Sequence, residues 1–185
     1  MFETGEPQKA EEILDALERL YEEARLYLDA MPLDAFFEAR DGKWIASDHV
    51  RHLSKSMLPL ARALSLPRFV PGLLYGRFSR QSRSFVEIRN IYRHHLQQGA
   101  TAGNFAPTPK PSPTNPLLRR DEILSLWRKA SHLLHDGVKK WDDPAMDRYR
   151  LPHPILGRLT IREMLFFTLY HNSHHLRQVA QLPLW

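Results

Sequence analysis

The sequence predicts an all-α protein: a four-helix bundle with an extra short helix and a proline-rich insertion between the second and third long helices. Three observations carry this. Four long segments repeat apolar residues at three- and four-residue steps, the period of a helix with one buried face. No segment alternates apolar and polar residues as a half-buried strand does. Capping residues and prolines fall where those segments begin and end. The chain has 185 residues, which suits one domain over 1–185, because two much smaller units would each struggle to bury a core.

The first helix is expected over about residues 7–30, where Ile13, Leu14, Leu17, Leu20, Tyr21, Ala24, Tyr27 and Leu28 repeat at three- and four-residue steps. Glu6, Glu11 and Glu12 suit the positive end of its dipole, and Met31-Pro32 stops it. The second is expected over about 46–65, with Ser47 as N-cap and Leu53, Met57, Leu60 and Leu64 as its stripe. Pro59 lies inside it and should kink or split it. A shorter helix follows at about 82–97, carrying Phe85, Ile88, Ile91, Tyr92 and Leu96.

The insertion at 99–116 is rich in proline and should run extended over the surface. Asn115 as cap and Pro116 at the first helical position open the third long helix, which should end near Asp142. Gly137 is a weak point within it. Thr160 and Glu163 form a capping box that opens the fourth, expected to run to about Gln181.

Composition narrows the chemistry. With no cysteine, a disulfide framework, a cysteine nucleophile and a thiolate metal site are all excluded. Ten histidines leave imidazole nitrogen as the obvious metal donor. No apolar run approaches the ~20 residues needed to span a bilayer, and the N-terminus lacks a signal-peptide pattern. A cytoplasmic protein with no membrane partner is the expectation.

The net charge is +5, densest around Arg77, Arg80, Arg83, Arg89 and Arg93. A solvated helix face explains that cluster best, an anion site next. Nucleic acid comes last, because no helix-turn-helix or zinc-finger spacing accompanies the charge.

On the fourth helix His171 and His175 are four residues apart on the inward arc, the spacing that lets two imidazoles share one metal. His174 points largely the other way. Near the start of the second helix stand His49 and His52, either of which could supply a third ligand; wheel geometry alone favours His49. Asn172 and Gln178 could hydrogen-bond near a site. His153 reads as part of a turn that could line the site, and Trp44, Trp127 and Trp141 as core. No phosphate loop, nucleophile elbow or paired carboxylates appear.

Trp44, Asp48, His52 and Leu53 together resemble the tryptophan–acid–His-Leu signature that opens the second helix of the DinB-like metal-binding proteins. His153-Pro154-Ile155-Leu156-Gly157-Arg158-Leu159-Thr160, continuing to His171, His175, Leu176 and Gln178, resembles that superfamily's His-Pro…Gly loop and H-x-x-x-H-x-x-Q helix. The resemblance covers the order of all four long helices. It implies an up-down-down-up bundle with a divalent metal on His52, His171 and His175. His49 then neighbours the ligands or packs in the core, the family pattern being preferred to a wheel phase that Pro59 disturbs.

The resemblance further implies a metal-dependent hydrolase or low-molecular-weight-thiol transferase acting on a small-molecule substrate. Three neutral imidazoles would leave zinc, nickel or iron with open positions. A thiol cofactor would have to arrive from outside, since the chain has none. No general base stands out, which favours thiol activation over hydrolysis. A non-catalytic metal-binding stress protein and a basic nucleic-acid module are the alternatives. Bundles of this kind often pair, so a homodimer is expected, with Phe166 and Tyr170 read as exposed on the outer side of the fourth helix.

Overall fold

The computed structural model describes residues 1–39, 42–78, 80–108 and 113–184. It is helical throughout except for one hairpin. The order is α1 (Ala10–Ala30), α2 (Leu33–Phe37), α3 (Ala46–Ser65), α4 (Phe69–Tyr75), α5 (Phe85–Gln97), a 3₁₀ turn (Gly103–Phe105), α6 (Pro116–Val138), α7 (Asp143–Arg148), β1 (Arg150–His153), β2 (Gly157–Thr160) and α8 (Ile161–Val179). Among the described residues no helix is long and apolar enough to cross a membrane. Pro109 and Pro111 of the insertion lie outside the described residues.

The four long patterns fold as helices α1, α3, α6 and α8, with ends that differ by a few residues. Asn115 caps α6, its side chain accepting from the Leu118 amide at 3.1 Å. Thr160 Oγ1 accepts from the Glu163 amide at 3.1 Å, and Glu163 accepts from the Thr160 amide at 3.0 Å, completing the capping box of α8. The N-cap of α3 is Ile45; Ser47 sits inside the helix and is buried. Pro59 does not split α3, which runs unbroken from Ala46 to Ser65.

Packing explains the glycine in α6. Helices α3 and α6 form the most extensive helix pair of the fold. A Cβ on Gly137 would stand 3.0 Å from the Leu64 Cβ and 3.4 Å from the Ala61 carbonyl oxygen. The bare backbone therefore lets the two helices close together. Just beyond α6, Trp141 Nε1 donates to the Leu64 carbonyl at 3.0 Å, which satisfies an acceptor at the C-terminus of α3.

Helix α8 is the axis of the fold: 16 of its 19 residues are buried. This corrects the reading of its outer side, since Phe166 and Tyr170 are 2% and 3% exposed. The reason is α5, which lies against α8. Phe85 meets Phe166 edge-on at 5.9 Å, and Tyr92 meets Tyr170 at 6.1 Å. The N-terminal segment also reaches α8, where Ser173 Oγ donates to the Phe2 carbonyl at 2.5 Å.

The hairpin was not predicted. β1 pairs antiparallel with β2, with Arg150 opposite Thr160 and His153 opposite Gly157. Strands of four residues are too short to show alternation. The turn reverses at Gly157, whose φ of +72° favours glycine. The hairpin delivers the chain directly to the capping box of α8.

The arginine cluster is partly solvated, with Arg77 and Arg80 exposed and Arg83, Arg89 and Arg93 half-buried, but it also carries structural contacts. Arg80 and Arg83 bracket the fully buried Glu163 carboxylate at 2.8 and 2.9 Å while keeping part of their surface in water. Arg77 lies over the Tyr149 ring at 5.4 Å, and Arg89 lies 3.9 Å from Glu6.

Candidate metal centre

The first turns of α3 bury both His49 and His52, at 6% and 3% exposure. Burial alone therefore does not choose between them. Their partners do. His52 Nδ1 lies 2.8 Å from the Phe105 carbonyl, a group that can only accept, so Nδ1 carries the proton. That leaves a lone pair on His52 Nε2, which faces His171 Nε2 at 2.9 Å.

The Phe105 carbonyl comes from the insertion. Its 3₁₀ turn is held on α3 by Lys55 Nζ donating to the Ala106 carbonyl at 3.2 Å and by Arg51 donating to the Thr108 carbonyl at 2.8 Å. The insertion thus packs over α3 and orients a histidine.

His175 completes the group. The ring centroids of His52, His171 and His175 are 4.6 to 4.8 Å apart. One nitrogen from each lies within 4.8 Å of the others. All three are buried. His49 stands behind them: its Nδ1 is 2.9 Å from His175 Nδ1, so one ring donates to the other, and the His175 Nε2 is left for another partner. Trp44 stacks on His175, with centroids 5.7 Å apart and planes 16° from parallel. Phe167 stacks on His171 at 5.0 Å.

The electrostatics keep these rings neutral. Burial pushes His171 and His175 well below the ordinary imidazole range, and the neighbouring imidazoles push the same way. Burial also lowers His52, opposed in part by its bond to the Phe105 carbonyl. Neutral imidazole is the form that ligates metal. Two nitrogens on one tetrahedral ion at 2.0–2.1 Å would stand about 3.3 Å apart, close to the 2.9 Å between His52 and His171. The donor set fits a divalent cation.

The cluster lines a cavity of about 960 Å³, walled by Trp44, Tyr92, Phe105, Leu151, Phe167 and others. His153 and His174 also line it, each pushed down to about 4 by burial. Burial pushes the Tyr92 phenol up to about 12, so it stays protonated. Among the described lining residues there is no carboxylate.

Of the other sequence candidates, Asn172 is turned to its own helix, donating to the Thr168 carbonyl at 2.9 Å. Gln178 lines the cavity. His132 contacts Tyr21 and His135 lies near Glu18, and neither belongs to the three-histidine group. His153 lines the cavity, as its turn position allowed; sequence reasoning missed the Trp44 stack, the Phe105 carbonyl and the place of His174 in the cavity. The aromatic just ahead of a histidine-bearing helix was the signal available for the stack, and it read as core.

An all-helical bundle that encloses a buried cluster of three neutral histidines at a large cavity defines a class of helical metal-binding proteins. The chain belongs to the DinB superfamily, whose family model matches residues 16–179. No curated protein and no solved structure gives a significant match to the chain.

Proposed function

We propose that this protein is a metal-dependent enzyme that activates a thiol cofactor, or water, for transfer or hydrolysis on a small-molecule substrate. His52, His171 and His175 would hold the cation. The observation that carries the reading is the meeting of His52 Nε2 and His171 Nε2 at 2.9 Å, with His52 Nδ1 already committed to the Phe105 carbonyl. When bound, a divalent cation supplies Lewis acidity, lowering the pKa of a coordinating thiol or water toward neutrality.

The chain's own groups do the rest. The Phe105 carbonyl fixes the tautomer of His52, His49 holds Nδ1 of His175, and Trp44 and Phe167 lock two ring planes. The largely apolar walls would strip water from the part of a substrate that they cover. The lack of a carboxylate among the described lining residues favours thiol activation, in which coordination itself yields the nucleophile, over hydrolysis, which calls for a base.

Elemental analysis of protein purified without chelator or affinity-tag nickel tests this, followed by assays pairing low-molecular-weight thiols with electrophiles. We expect about one divalent metal per chain and turnover that chelation removes. Protein that keeps its metal but turns over neither thiol–electrophile pairs nor amides and esters would favour a non-catalytic metal-binding role. Protein that takes up no metal would overturn both.

A further inference from the structure

We propose that His153 is the substrate-anchoring donor of the cavity: its Nε2–H is held ready for an acceptor oxygen, carbonyl or carboxylate, on a compound whose apolar body fills the cavity. This rests on the reading of that cavity as the substrate site.

The tautomer of His153 is set by the hairpin turn. Its Nδ1 lies 3.2 Å from the Ile155 amide and 3.0 Å from the Leu156 amide. Both amides donate, so Nδ1 is an acceptor, and a neutral imidazole must then carry its proton on Nε2. Burial keeps the ring neutral, as described above. Among the described residues Nε2 has no protein partner, and it is not among the buried polar atoms sealed from solvent. The ring lines the cavity. It stands edge-on to Phe167 at 4.2 Å, and Phe167 in turn stacks on His171. One aromatic ring therefore separates this donor from the histidine cluster.

The surroundings select the ligand. Trp44, Phe105, Leu151, Ile155 and Phe167 offer apolar and aromatic contact. Lys43 is the sole charged side chain among the described lining residues. No carboxylate there competes for the His153 N–H, and none repels an anionic acceptor. A site built to donate to an oxygen discriminates against an analogue that lacks it. His153 is a binding residue in this proposal and takes no proton.

The test uses the full chain as purified, with N-benzylacetamide as a neutral probe that pairs a phenyl body with one carbonyl. Two-bond ¹H–¹⁵N spectra should show His153 as the Nε2–H tautomer, with its Nε2 signal moving on addition of the probe. The H153N variant can still accept from the two turn amides but cannot reach into the cavity. It should keep its melting temperature and metal content and bind the probe about tenfold more weakly. H153Q, with a longer amide, should recover part of the affinity. An Nδ1–H tautomer, unchanged affinity in H153N, or no binding to the wild-type chain would each overturn the proposal. Should H153N fail to fold, the tautomer and the H153Q affinity still decide it. Binding that depends on His153 in a protein without metal would leave this inference standing while the metal reading falls.

Discussion

His52 Nε2 and His171 Nε2 lie 2.9 Å apart, although 119 residues separate them in the chain. His52 has given its one proton to the Phe105 carbonyl. The lone pair on Nε2 can take a proton from His171 or bind a cation that both rings share. Removing His171 takes away either answer. H171A should lose stoichiometric metal, read by elemental analysis after dialysis against zinc, and should lose the rise in melting temperature that zinc gives the wild-type chain. Such a rise follows whenever a ligand binds the folded state alone. An H171A protein with full metal occupancy would rule out this ligand set.

His49 offers a sharper test of how the cluster is held. It contacts His175 through Nδ1 and lies outside the three-histidine group. Partners that orient a metal-bound imidazole typically contribute 10–100-fold to affinity. H49A should therefore bind about one zinc per chain, at an affinity about 10–100-fold lower, measured by competition with a chromogenic chelator. Complete loss of zinc would make His49 a ligand instead.

The choice between His49 and His52 marks where the sequence stops being informative. The spacing of His171 and His175 is local, as are the Asn115 cap and the Thr160–Glu163 box, and each is legible in a few residues. His49 and His52 are both buried, because the first turns of α3 are enclosed on more than one side. What separates them is a carbonyl delivered by a loop more than fifty residues away, which no periodicity encodes. The family resemblance pointed to His52 where the helical wheel did not. Phe166 and Tyr170 were misread for a related reason: a wheel assigns one outer face along the whole helix, and α8 is part-exposed only near its C-terminal end, at His174, Arg177 and Gln178. Arg80 and Arg83 look like surface charge until Glu163 is seen buried between them.

Gly137 read as a weak point in its helix, and the structure gives it a purpose. A valine there would press its branched Cβ on the Leu64 Cβ at 3.0 Å and on a backbone oxygen at 3.4 Å. Neither neighbour is the far end of a flexible chain. Overpacking of this kind costs about 1–3 kcal/mol, more than the up to ~1 kcal/mol gained by replacing a helical glycine. G137V should melt about 1–10 °C lower than wild type by circular dichroism, given the scaling for a chain of this size. An unchanged melting temperature would mean that α3 and α6 can part at little cost.

Glu163 ties the start of α8 to the segment before α5, and it sets how stability responds to acid. Burial pushes its carboxyl up, but hydrogen bonds from Arg83, from Arg80 and from the Arg83 and Thr160 amides outweigh this and hold it down at about 2. The folded state therefore keeps Glu163 ionised at pH values where the unfolded chain takes up a proton near its ordinary value of 4.5. The stabilisation is full above about pH 5 and is lost as pH falls toward 2. It is of order 3 kcal/mol by the conversion of pKa shift to free energy. Asp147 acts in the same sense: burial raises it, but hydrogen bonds from Arg162 and Ser82 outweigh this and hold it below its ordinary value. E163Q removes the charge and leaves two arginines short of a partner, though both keep some contact with water. The variant should be about 2–4 kcal/mol less stable than wild type at pH 7 in urea unfolding. That gap should stay constant down to about pH 5 and narrow between pH 5 and 3. A gap that is independent of pH would show that the arginines hold the turn by packing rather than by charge.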